Sequence, residues 1–96
     1  MSESGEVGDD HPLPELFTKA QWATLGDHFG LSARQRQTAR LICLGFSNVG
    51  IARNLGLGPN TVRMHNRELF RKLGVGQRMG VAVRLMLTDR ELSRGR

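Results

Sequence analysis

The stretch GFSNVGIARNLGLGPNTVRMHNREL, residues 45–69, decides the fold. Ser47 stands where a side-chain oxygen caps a helix, and Phe46 is placed to pack on Ile51 across that start. Ile51, Ala52 and Leu55 form an apolar face that ends at Gly56, a residue suited to a left-handed stop. Gly56, Leu57 and Gly58 alone separate this short helix from the next. The second helix opens with Pro59 at its first position, where a missing N–H costs nothing. A short helix, a tight glycine turn and a longer helix is the spacing of a helix-turn-helix. A plain helical hairpin shares it, so the faces of the second helix must discriminate.

Those faces differ. At 3.6 residues per turn Val62, Leu69 and Leu73 fall on one side, and Asn60, Arg63, Met64, Arg67 and Arg71 fall on roughly the opposite side. Three arginines share that stripe with no acid among them. A guanidinium fork matches O6 and N7 of guanine, so Arg63 and Arg67 are the expected base readers in a major groove, with Met64 against a thymine methyl. Asn60 and Thr61, in the first turn beside outward N–H groups, are expected at phosphates, as is Arg71 further along the stripe.

The helical pattern continues on both sides. Ser32 with Gln35 makes a capping box, and Ala39, Ile42, Cys43 and Phe46 give an apolar face around the stop at Gly45. Thr18 and Gln21 repeat the box, Phe17 is positioned to pack on Trp22, and Trp22, Leu25 and Phe29 recur at helical spacing before Gly30. A last helix, from about Gln77 into the region of Asp89, carries Met79, Val81, Ala82, Val83, Leu85, Met86 and Leu87. That is too much apolar surface for one narrow stripe. One side is expected on the core and the other against either a second copy or the Trp22 helix.

Ninety-six residues leave room for one small domain and exclude a multi-domain enzyme. A content of 39% hydrophobic and 24% charged residues, without Tyr, suits a compact helical domain better than a β-sandwich or a disordered chain. The formal charge of +5 hides an asymmetry: residues 1–30 hold 1 basic and 6 acidic residues, residues 31–96 hold 13 basic and 3 acidic. Nearly all the basic residues are Arg, which points to a polyanionic partner. Met1 to Glu15 reads as a flexible acidic tail, whose acids are also candidates to compete with DNA for the basic face. A single Cys43 and three His leave little for a zinc site, and Cys43 reads as a small apolar residue. With no leader or spanning stretch, the expected setting is cytoplasmic. No paired nucleophile and base, phosphate loop or metal cluster marks an enzyme.

In order and spacing, Leu31-Ser32-x-Arg34, Gly45-x-Ser47-Asn48-x-x-Ile51-Ala52-x-x-Leu55-Gly56, Thr61-Val62-x-x-His65 and Lys72-Leu73-Gly74-Val75 resemble the LuxR-type helix-turn-helix of bacterial transcription regulators. The resemblance covers about Leu31 to Leu87. It implies a four-helix domain whose third helix reads the major groove and whose fourth forms a two-fold dimer. It places base contacts at Arg63, Met64 and Arg67, backbone contacts near Ser47, Asn48, Asn60, Thr61 and Lys72, and the dimer contact on Val81, Leu85 and Met86. The sequence departs from the pattern at Gln35 and Gly80, where an acid is common, and Gly80 is expected to soften the start of the last helix by up to about 1 kcal/mol. Gly50 leaves Ser47 without a reciprocal capping residue, at about 1 kcal/mol. Asn66 occupies a usually apolar position and needs a hydrogen-bond partner. His65 reads as a structural hydrogen-bonding residue.

The expected architecture is therefore an all-α, small helix-turn-helix domain of four core helices, preceded by an extra N-terminal helix and a flexible acidic tail. Residues 1–16 are the tail, 17–30 the accessory helix, 31–92 the DNA-binding domain and 93–96 a flexible basic end. The expected function is sequence-specific regulation of transcription on double-stranded DNA, as a homodimer. The alternative is a helical interaction module that pairs with another regulator protein. No cofactor, metal, membrane or small-molecule ligand is expected.

Overall fold

The computed structural model describes residues 11–95, and these are all-helical. Five helices run along them: α1 (Lys19–Phe29), α2 (Ala33–Cys43), α3 (Asn48–Leu55), α4 (Pro59–Leu73) and α5 (Arg78–Arg94). Both expected capping boxes form. Thr18 Oγ1 accepts from Gln21 N at 3.1 Å while Gln21 Oε1 accepts from Thr18 N, and Ser32 and Gln35 exchange the same pair of bonds. Phe17 meets Trp22 edge-on at 5.1 Å between ring centroids. Ser47 Oγ caps α3 through Gly50 N at 3.0 Å, without a reciprocal bond. Gly56, at φ +67°, supplies the left-handed stop that turns the chain from α3 toward α4.

The core gathers one stripe from every helix: Leu25, Ala39 with Ile42, Ile51, Val62 with Leu69 and Leu73, and Val81 with Leu85. α4 packs on α2, α3 and α5, so its orientation is fixed from three sides. α1 packs on α5, with Gln21 Nε2 donating to Asp89 Oδ2 at 3.1 Å. The Trp22 helix thus covers part of α5 within one chain. Cys43 packs among apolar neighbours. Burial, reinforced by the nearby Glu15 carboxylate, pushes its thiol up to about 12, so it stays protonated at neutral pH.

Three expectations shift at the edges. Part of the segment expected to be a flexible tail is docked, because Leu13 N donates to Leu44 O at 2.9 Å and Arg40 Nε donates to Glu15 Oε2 at 2.8 Å. The rest of that tail, residues 1–10, lies outside the described residues. The basic end expected at 93–96 begins inside α5, which runs through Arg94, and Arg96 is outside the described residues. Gly80 reads from sequence as a soft spot, but a Cβ there would lie 2.9 Å from Val75 Cβ. Its bareness lets the α4–α5 turn close onto the first turn of α5.

Candidate nucleic-acid interface

α4 presents its polar stripe because the opposite stripe is anchored. Val62, Asn66, Leu69 and Leu73 are buried, and Asn60, Arg63, Met64, Arg67 and Arg71 are exposed. Met64 keeps 59% of its surface in solvent, on the same side of α4 as Arg63 and Arg67. Arg63 Nη1 donates to Asn60 Oδ1 at 3.0 Å, a bond within one helical turn that leaves most of the guanidinium outward. Thr61 is half-buried at the start of the helix. Gly58 caps α4 without a side-chain hydrogen bond, so the first N–H groups of the helix have no capping acceptor and form an anion-favouring end.

Further along α4 the structure corrects the sequence reading. An acid borders the stripe and engages it, since Glu68 accepts from Arg71 Nε at 2.9 Å and Nη2 at 3.1 Å. That bidentate bond holds the Glu68 carboxyl below its ordinary range, and desolvation works against it. The spacing of three was visible in the sequence, but Glu68 falls off the stripe on a helical wheel and only the length of the arginine brings them together. Lys72 turns inward: its Nζ donates to Gly30 O at 2.8 Å and to Gln35 Oε1 at 2.9 Å. One ammonium thereby joins α4 to the end of α1 and the capping box of α2. Two of its three N–H bonds are spent there, which disfavours the phosphate role expected for it.

Asn48 is similarly occupied. Its Oδ1 accepts from Asn66 Nδ2 at 3.0 Å and from Arg78 Nη1 at 2.9 Å, and Arg78 Nη2 also donates to Phe46 O. Asn66 therefore finds the partner its burial demands on one side of its amide, while Asn66 Oδ1 is buried with no partner among the described residues. Arg78 was not singled out from the sequence. Its signal was weak, one arginine at the start of a helix, yet it ties α5 to the α2–α3 turn beside Ser47. His65, read as a hydrogen-bonding residue, is half-buried on the flank of α4.

α5 requires the other correction. Val81 and Leu85, expected at a dimer contact, are wholly buried in the chain's own core and offer no surface to a second copy. The sequence showed an excess of apolar residues but not which stripe faced inward. The outward ones are Met79 at 75% exposure, with Val83, Met86 and Leu87 each near half. Of the three expected contact residues, Met86 alone lies on that outer face.

A short helix and a longer one joined across a three-residue glycine turn, with a cationic outward stripe on the second, define a helix-turn-helix module. The family described as bacterial regulatory proteins, luxR family, matches residues 30–86, and the chain belongs to it. It is similar to the transcriptional regulatory protein UhpA of Salmonella typhimurium, 40% identical over 79 residues that make up 82% of this chain and 39% of that protein. It is also similar to an HTH-type transcriptional regulator in the exeN 3' region of Aeromonas salmonicida, 33% identical over 81% of this chain and 39% of that one. The HTH-type transcriptional regulator MalT of Serratia proteamaculans is 36% identical over 73% of this chain and 8% of its own length. The chain thus spans well under half the length of the relatives it matches. No solved structure matches it. No helix among the described residues is long and apolar enough to cross a membrane.

Proposed function

We propose that this chain regulates transcription by binding specific double-stranded DNA, with α4 in the major groove. The observation that carries the reading is the outward stripe Asn60, Arg63, Met64 and Arg67 on a helix whose opposite face is locked into the core. Base recognition falls to Arg63 and Arg67, each able to pair bidentately with guanine, and to Met64 against a thymine methyl. Asn60, Thr61 and Ser47 set the register on phosphates, assisted by the uncapped N–H groups at the start of α4. Arg71 joins them once its pairing with Glu68 gives way to a phosphate. The names of the relatives, all transcriptional regulators, favour the same reading.

The protein acts as a homodimer in which Met79, Val83, Met86 and Leu87 of α5 face the same residues of a second copy. A two-fold contact is self-complementary, as an apolar helix stripe can be, and it matches an inverted repeat of half-sites. The test is repeated selection from a randomised duplex pool with the purified chain at physiological salt. Enrichment of an inverted repeat is expected. Recovery of no sequence above non-specific binding would overturn the reading in favour of a protein-pairing module.

A further inference from the structure

Arg78 stands apart from the basic stripe of α4, yet its guanidinium holds both sequence neighbours of Ser47. Nη1 donates to Asn48 Oδ1 at 2.9 Å, and Nη2 donates to Phe46 O. The same Asn48 oxygen accepts from Asn66 Nδ2 at 3.0 Å, and Asn66 is buried on the inner face of α4. One carboxamide oxygen therefore gathers the first residue of α3, the inner face of α4 and the first residue of α5. Helix packing does not duplicate this link, since α3 packs chiefly on α2 and α4. Arg78 is itself placed by the turn before it, which closes onto the first turn of α5 because Gly80 has no Cβ to meet Val75.

We infer that Arg78 is a positioning residue for DNA binding: it sets the start of α3 against α4, so that the phosphate contact at Ser47 and the base contacts of Arg63 and Arg67 engage one duplex together. This rests on the DNA-binding reading above and supplies what keeps its two sets of contacts in register. The contacts come from different helices joined by a glycine turn, and a duplex accepts both only when their spacing is held to within about 0.5 Å. The start of α3 is the end farthest from that turn. Over the eight residues of α3, about 12 Å, a swing of about 5° at Gly56 moves the start by about 1 Å. A planar guanidinium suits the task, because it offers a separate nitrogen to each of two acceptors where a lysine offers one nitrogen in all.

The test uses the full chain and the duplex recovered by the selection described above. Arg78→Lys keeps the charge and gives up the two-nitrogen grip. It is expected to bind that duplex about tenfold more weakly than the parent, and random duplex within about twofold of it. Phosphate ethylation is expected to interfere at one position fewer in each half-site, while methylation of guanine N7 interferes at the same bases as for the parent. A general loss of folded protein would weaken every contact alike and could not give that split. Should Arg78→Lys fold poorly, Arg78→Gln, whose one amide nitrogen replaces two, takes the same measurements. Parent-like affinity with an unchanged ethylation pattern would overturn the inference and leave charge as the whole role of Arg78. Equal losses on selected and random duplex would overturn it too. If the parent chain itself recovers no sequence, the DNA-binding reading falls first and the inference falls with it.

Discussion

α4 and α5 are the two long helices, of fifteen and seventeen residues, and both bury a narrow stripe in the same core. They differ in what they leave outside. α4 exposes Asn60, Arg63, Met64 and Arg67, a face whose two arginines an aqueous surface tolerates and a polyanion rewards. α5 exposes Met79, Val83, Met86 and Leu87, a largely apolar face with Arg90 on the same side, which on the proposed reading meets a second copy. The contrast shows that the functional content of a small helical domain lies in its outward residues, once the inward ones have been identified. The largest expected effects separate inward from outward on α5. Leu85→Ala should cost about 2–5 kcal/mol of folding stability by leaving a cavity, read as a large fall in Tm. Met86→Arg should leave Tm within the change that about 0.5 kcal/mol produces, yet shift sedimentation toward monomer. If Leu85→Ala folds as well as the parent, the packing described for α5 is wrong.

The next effect divides α4 along its own length. Arg67→Ala should cost about 1–3 kcal/mol on the selected duplex and relax preference at one base position, with a smaller loss on random duplex. Lys72→Met should act oppositely. Loss of its bonds to Gly30 O and Gln35 Oε1 should lower folding stability by about 1–2 kcal/mol, with the salt dependence of DNA binding unchanged. A fall of about one in that salt slope would restore Lys72 as a phosphate contact and erase the distinction between the two ends of α4.

Much of this was legible in the sequence, for a physical reason. Capping boxes, glycine stops and apolar spacing are local signals, so all five helices could be placed from residues such as Thr18, Ser32, Gly56 and Pro59. The stripe around Arg63 and Arg67 was legible for the same reason, because helical periodicity fixes which residues share a face. What was not legible depended on long side chains crossing between elements. Lys72 reaches 42 residues back to Gly30, and Arg78 reaches 32 residues back to Phe46. Burial of Val81 and Leu85 in preference to Val83 and Met86 likewise depended on how α5 is rotated against α2 and α4, which no local pattern encodes.

Asn66 is a place where that hidden network can be probed. Its amide donates to Asn48 while its buried oxygen has no partner among the described residues. Asn66→Leu removes both the bond and the unsatisfied acceptor, and Asn48 keeps its bond from Arg78. The expected result is a gain of about 1 kcal/mol, seen as a higher denaturation midpoint. A loss of stability would mean that the Asn48 contact outweighs the orphaned oxygen.

The smallest effect concerns the acid that borders the basic stripe. Glu68→Gln removes a negative charge beside Arg71 and ends the bidentate bond that commits that guanidinium. Duplex affinity should rise by a factor of about two to five at low salt, equally for selected and random sequences, because the gain is a phosphate contact and not a base contact. The pair lies on the surface, so its loss should leave folding stability almost unchanged. The pH dependence follows from the sign of the Glu68 shift. Its folded-state carboxyl lies below the ordinary value of 4.5, so the pair is complete above that value and is lost as pH falls through the depressed one. Between pH 6 and 8 the parent and the Gln variant should therefore keep a constant affinity ratio. A ratio that drifts across that window would assign the restraint on Arg71 to a different titrating group.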